Sequence, residues 1–174
     1  PGEACYTVLL NDSGGIIDDL IIYDIGLNEN NEESLLLVIN AACTDKDLKW
    51  IKNNLNEKKF SISDAKGDGL LLAVQGPKTT RILEKIFNQS LSSIPRFGHK
   101  QIYLSNPNLK DKEPIFVART GYTGEEGFEL LTTKLTGEHI WINLIKEGII
   151  PCGLGSRDTL RLEAAMHLYG NDMD

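Results

Sequence analysis

Residues 14–25, "GGIIDDLIIYDI", constrain the fold most, because a run of β-branched and large apolar side chains there carries three aspartates, Asp18, Asp19 and Asp24. In an extended strand Ile17, Asp19, Ile21 and Tyr23 point to one side, and Asp18, Leu20, Ile22 and Asp24 to the other. Both sides carry large apolar groups. Whichever side packs on a core therefore brings a carboxylate near low-dielectric surroundings, where an unpaired charge is costly or takes up a proton. The adjacent pair cannot share a face, so one carboxylate is a candidate for a pocket and the other for a structural or solvated role. Residues 4–10 supply the partner strand, joined through "NDSGG", whose residues tolerate left-handed backbone and predict a hairpin.

"LLLVINA" (35–41) reads as a third strand beyond a polar "NENNEES" loop. A helix follows, with Thr44 as cap, Asp47 three residues on, and an apolar stripe of Leu48, Ile51 and Leu55. "KFSIS" (59–63) is expected to close a β-β-β-α-β unit. "DAKGDG" (64–69) is small, polar and glycine-containing, and places a domain boundary between residues 1–64 and 65–174. In the second part, "LLLAVQG" is a strand, Pro77 opens a helix with Ile82, Leu83, Ile86 and Phe87 on one side, and "QIYLS" and "PIFVAR" flank a polar "NPNLKDKE" loop. "GFELL" is a further strand. Ile140, Trp141, Leu144 and Ile145 stripe the next helix, which Gly148 ends, and a last helix starts at Ser156. Helices and antiparallel strands mixed without βαβα alternation predict an α+β fold of the ferredoxin-like kind, with β-α-β-β-α order in the second half.

The chain has 174 residues, 41% of them hydrophobic, and a net charge of -7 with scattered Lys and Arg, which argues against a nucleic-acid surface. Cys5, Cys43 and Cys152 are odd in number and far apart, so neither a disulfide framework nor a zinc site is indicated, and a reducing compartment fits. No apolar run approaches a membrane span. The sequence lacks an initiating Met, enters a strand at once and stops at "YGNDMD", which suggests a piece of a longer protein.

Two segments carry candidate chemistry. "ARTGYTGEEGFEL" (118–130) lies between strands, so its glycines are no dinucleotide fingerprint, which needs a following helix. It reads either as a tight connection whose glycines supply positive φ, or as a loop holding Tyr122 and Glu129 at the mouth of a pocket, with Tyr122 able to stack on a flat ligand. "GLGSRDTLRLEAAMHLYGNDMD" (153–174) offers Ser156 as cap, Asp158 in the first turn, Arg157 and Arg161 on one face, and Leu160, Ala164 and Leu168 as an apolar row. Those arginines make ordinary surface ion pairs, or one of them clamps a carboxylate. His99, His139 and His167 lack metal-ligand spacing and read as surface or packing residues, and Met166 and Met173 as core or interface residues.

Taken together, "NDSGGIIDDLIIY", "LLVINAACTDKDLKWI", "LLAVQGPK", "ARTGYTGEEGFEL" and "GLGSRDTLRLEAAMHLYGNDMD" closely resemble the T-protein family of the glycine cleavage system, the tetrahydrofolate-dependent aminomethyltransferases. The resemblance spans nearly the whole chain. It implies transfer of an aminomethyl carbon from the lipoylated H-protein to tetrahydrofolate, with release of ammonia, and no metal. It selects Asp19 as the central carboxylate, with Arg157 near the reacting centre and Asn40, Tyr122, Glu129 and Arg157 around the folate. Met166 and Phe97 stand where relatives can have aromatic residues and tyrosines. The resemblance also implies ferredoxin-like domains over 1–64 and 65–174 and a longer parent with an N-terminal segment and a C-terminal barrel. The piece alone would be inactive and prone to dimerise through unpaired edges. The setting implied is cytoplasmic in a bacterium or the mitochondrial matrix in a eukaryote, with no nucleic acid or membrane as partner. Two other readings are the folate-binding half of a dimethylglycine or sarcosine oxidising enzyme, and a non-catalytic folate-binding module.

Overall fold

A computed structural model describes residues 1–56, 59–65, 67–105 and 112–173. The chain forms two compact units, Pro1–Ala65 together with His167–Asp174, and Lys66–Met166.

In the first unit β1 (Ala4–Leu10), β2 (Ile16–Leu27) and β3 (Glu33–Ile39) make an antiparallel sheet in the order β1-β2-β3. The "NDSGG" turn forms as expected: Asn11 Oδ1 accepts from the backbone N–H of Ser13 and Gly15, both at 2.9 Å. A 3-10 turn (Ala41–Cys43) leads into α1 (Thr44–Asn54). Cys43 rather than Thr44 takes the cap position, and the Thr44 hydroxyl instead donates back to Ala41 O at 3.1 Å. The predicted stripe of Leu48, Ile51 and Leu55 is only half-buried, and the buried residue of α1 is Asp47.

Residues 59–63, expected as a fourth strand, pair with no strand among the described residues, and Phe60 and Ile62 are exposed. The C-terminal stretch is anchored within this first unit by Lys46, whose Nζ donates to Tyr169 OH at 2.9 Å and to Ile17 O, and lies 4.3 Å from the Tyr169 ring centre.

In the second unit β4 (Gly69–Gln75), β5 (His99–Ser105), β6 (Lys112–Ala118) and β7 (Gly127–Thr133) form an antiparallel sheet in the order β4-β7-β6-β5. The three strands read from "QIYLS", "PIFVAR" and "GFELL" all form between α2 (Thr79–Phe87) and α3 (Lys134–Lys146), so the expected β-α-β-β-α order gains a strand, β7, which pairs with β4. Residues 106–111, the greater part of the expected "NPNLKDKE" loop, lie outside the described residues. Both helices pack on β7 and touch each other, covering an apolar layer that includes Leu83, Leu91, Ile115, Val117, Phe128 and Leu130.

Ile82, Leu83 and Phe87 are buried on α2 as the periodicity predicts. On α3 the buried face is Thr136, Gly137, Ile140 and Leu144, while Trp141 and Ile145 are exposed. Glycine at 137 lets the helix approach β4: a Cβ there would meet Leu70 Cδ2 at 2.3 Å. Gly148, at φ +83°, turns the chain out of α3 as expected. The last helix, α4 (Leu154–Glu163), begins two residues before Ser156, with Gly153 as cap, and stops short of Leu168. The α+β class with antiparallel sheets is as the sequence predicts.

Candidate functional site

In the first unit the hairpin register decides what Asp19 meets. Tyr6 on β1 lies opposite Ile21 and so shares the face of Asp19, and its hydroxyl reaches across to donate to Asp19 Oδ2 at 2.8 Å. Asn40, just beyond β3, donates from its single amide nitrogen to Asp19 Oδ1 at 2.7 Å and to Asp18 Oδ1 at 2.9 Å. The two carboxylates point to opposite faces, as alternation requires, yet one amide ties them together.

Asp19 is half-exposed, with each oxygen held by one neutral donor. Neutral donors fix a carboxylate without cancelling its charge. Asp18 behaves otherwise. It is fully buried beneath the sheet rather than solvated, in company with the equally buried Asp47 of α1.

Burial would raise the Asp18 carboxyl, but hydrogen bonds from Asp47, Asn40, the Asp19 backbone and Cys43 hold it below the ordinary carboxylate value. Asp47 takes the proton of the pair: burial first, then its hydrogen bond to Asp18 and the Asp18 charge, push it up to about 7. Two carboxylates cannot donate to each other, so only with a proton between them is the contact a bond. Burial and the Asp18 charge likewise push the Cys43 thiol up.

The stability linkage has two limbs. Asp47 is raised, so the stability it gives is complete below its ordinary value of 3.8 and is lost as pH rises through about 7. Asp18 is lowered, so its contribution is present above 3.8 and is lost as pH falls through its folded value. Thermal unfolding followed against pH should therefore show the first unit melting lower at about pH 8.5 than at about pH 6. A melting temperature flat across that interval would contradict the shared proton.

In the second unit Tyr122 and Arg157 come together: the guanidinium carbon sits 4.7 Å from the ring centre, a cation–π contact between the glycine loop and the first turn of α4. Arg161, predicted to share a face with Arg157, is instead buried, bonding Asp158 Oδ1 at 2.8 Å and Met166 O at 3.2 Å. Glu129 is half-buried on β7, where its Oε2 accepts the Thr120 hydroxyl at 2.5 Å.

The three loop glycines answer to different needs. Gly124 supplies positive φ (+72°), whereas Gly121 and Gly127 make room for Gln75, whose Oε1 would lie 2.1 and 2.2 Å from their added Cβ atoms. Gln75 in turn donates to Thr120 O and Phe128 O, at 3.2 and 3.3 Å.

Beside this loop is a cavity of about 160 Å³, lined among others by Arg96, Phe97, Arg119, Thr120, Gly124 and Met166. Phe97 takes φ +58°, a left-handed conformation that costs a bulky residue energy and is found mostly where function or packing demands it. Met166, expected on the last helix, lies just beyond it at the cavity wall. A larger cavity of about 460 Å³ is lined by Lys78, Arg81, Lys85 and Glu147 among others, and neither cavity is lined by Asp19, Asn40, Tyr122, Glu129 or Arg157. Each holds an ion pair, Lys85 with Glu147 at 2.6 Å and Arg119 with Glu126 at 2.7 Å, and the smaller one adjoins the loop that carries Tyr122. At 160 Å³ the smaller cavity falls below the roughly 300–1,000 Å³ of whole ligand sites.

The family model of the GCVT N-terminal domain matches residues 1–174. The chain belongs to the GCVT family. Its relatives include aminomethyltransferases of Prochlorococcus marinus (strain MIT 9313), 60% identical, and of Synechococcus sp. (strain CC9902), 53% identical, each aligned over all of this chain and over 46% and 47% of the relative. A solved GCVT relative is the glycine cleavage system aminomethyltransferase T from Bartonella henselae, with a TM-score of 0.77 and 28% identity over 99% of this chain and 43% of that one. The chain spans about half the length of the curated relatives it matches.

Within this GCVT chain the structure brings Asp19 to Asn40 and Tyr122 to Arg157, and places Glu129 on Thr120. Sequence reasoning missed Tyr6, Gln75, Thr120 and Asp47. Asp47 had a signal: it precedes Leu48 and stands four residues before Ile51, on the inward side of α1.

Proposed function

We propose that this chain is the part of an aminomethyltransferase of the glycine cleavage system that carries the reactive carboxylate, Asp19, and folate-binding residues. The reaction moves the aminomethyl carbon from the lipoyl arm of the H-protein to tetrahydrofolate, releasing ammonia and giving 5,10-methylenetetrahydrofolate. A cytoplasmic setting accords with relatives that are bacterial. The observation that carries the reading is Asp19 itself: a half-exposed carboxylate, oriented by Tyr6 and Asn40 but not neutralised, on a chain whose relatives are aminomethyltransferases.

The donor set suits a pterin, which presents a flat π face and N–H donors. Tyr122 offers an aromatic face, and Glu129 an acceptor carboxylate whose Oε2 is already steered by Thr120. Tetrahydrofolate supplies the two nitrogens that receive the carbon, N5 of the pterin ring and N10 of the amine beside it. The protein's part is electrostatic and positional: Asp19 faces the cationic centre that develops as ammonia leaves, and its two donors keep it aimed there without reorganisation. Arg157, held over Tyr122, is the second residue that the family resemblance assigns to the transfer.

Calorimetric titration of tetrahydrofolate into the complete protein tests the binding half, and saturable one-to-one binding is expected. Glu129→Gln keeps the shape and removes the charge, so KM for tetrahydrofolate should rise about ten- to a hundredfold, the worth of a hydrogen bond to a charged group. An unchanged KM would remove Glu129 from the folate site. Tight folate binding without transfer from the H-protein would favour a binding module or a folate-dependent demethylating enzyme.

A further inference from the structure

Behind Asp19 lies a feature that the transfer reaction does not itself require. Asp18 and Asp47 are both fully buried, and Asp18 Oδ2 and both Asp47 oxygens have no hydrogen-bond donor among the described residues when the pair is written as two carboxylates. A buried carboxylate pair of this kind is unstable as two charges and stable as an acid and a carboxylate sharing one proton. The remaining Asp18 oxygen is spent on Asn40, whose other amide hydrogen holds Asp19.

Asn40 also sits one residue before the 3-10 turn that leads into α1, the helix that carries Asp47. Any change in the fit of Asp47 against Asp18 is thus applied to both ends of the Asn40 side chain's setting: its acceptor on β2 and its own backbone. The charged and titratable groups around the pair are Asp19 on β2, Cys43 in the 3-10 turn, and Lys46 on α1, whose Nζ lies 3.9 Å from Asp47 Oδ1 and is bonded to Tyr169.

We propose that the buried Asp18–Asp47 pair, sharing one proton, is a positioning element that fixes the Asn40 amide and through it aims Asp19. The proposal rests on the reading of Asp19 as the reactive carboxylate. With the proton in place, Asp18 is a single-charged acceptor that draws the Asn40 amide into line. When that proton leaves to solvent, two buried charges face each other, α1 is pushed from β2, and Asn40 loses its alignment. The titration of Asp47 near 7 puts this loss in the neutral range.

The test uses the complete protein and two readouts. In the first, Asp47→Asn preserves shape and a donor toward Asp18 while removing the titration. Its kcat at about pH 6 should stay within about threefold of wild type, and the alkaline fall in kcat near neutrality should disappear. Asp18→Asn should lower kcat about tenfold or more, with KM for tetrahydrofolate changed by less than about twofold, because it weakens aim and not folate contacts. Wild-type and Asp47→Asn profiles that superimpose would overturn the proposal.

The second readout is independent of turnover. The side-chain amide resonances of Asn40, followed by NMR in wild type, should titrate with a midpoint near 7, and should be flat in Asp47→Asn. If transfer is absent but the amide titrates, the aminomethyltransferase reading fails and the coupling stands. If the wild-type amide does not titrate, the coupling fails, whether or not the variants fold.

Discussion

Asp19→Ala in the complete protein is expected to lower kcat by about 10²–10³-fold or more, the usual cost of removing a preorganised charge from a reacting centre. Folding should be spared. Asp19 is half-exposed and its donors, Tyr6 and Asn40, are exposed enough to turn to water when it is gone, so the loss of stability should stay within about 1 kcal/mol. Steady-state kinetics set beside a denaturant titration separate the two effects. A kcat within about tenfold of wild type would remove Asp19 from the reaction, whatever its family resemblance.

Phe128→Ala is expected to do the opposite, costing stability first and activity only through it. Phe128 is fully buried on β7, paired opposite Val74 of β4, and lies between Gly127 of the glycine loop and Glu129. Its ring fills the layer beneath α2 and α3, and Arg119 stands over it with the guanidinium carbon 5.9 Å from the ring centre. Truncation leaves a cavity in a strand held on both sides, where relaxation is limited, so the second unit should lose about 3–5 kcal/mol. Urea denaturation of the variant checks this through its midpoint. A loss below about 1 kcal/mol would mean that the apolar layer behind the loop is not what holds it.

Local pattern made the hairpin legible: alternation over residues 4–10 and 16–24 fixed both strands, and "NDSGG" fixed the turn. Alternation also separated Asp18 from Asp19 correctly, but it could not reveal that Asn40 would reconnect them, because that contact spans more than twenty residues and depends on the β2–β3 register. "KFSIS" failed as a strand because propensity says nothing about whether an apolar layer exists to bury Phe60 and Ile62. On α1, hydrophobic periodicity pointed to Leu48 and Ile51 and passed over Asp47, since a scale that counts only apolar residues is blind to a carboxyl that is buried by sharing a proton. The glycine loop was half legible. Positive φ explains Gly124, whereas the need for glycine at 121 and 127 comes from Gln75, some fifty residues earlier in sequence, and no local pattern encodes it.

The measurement that bears most directly on the whole account is a single turnover of aminomethyl-loaded H-protein with saturating tetrahydrofolate and the complete protein. One ammonia and one 5,10-methylenetetrahydrofolate should be released per loaded lipoyl arm, at a rate that collapses in Asp19→Ala. Tight tetrahydrofolate binding with neither product formed would contradict it.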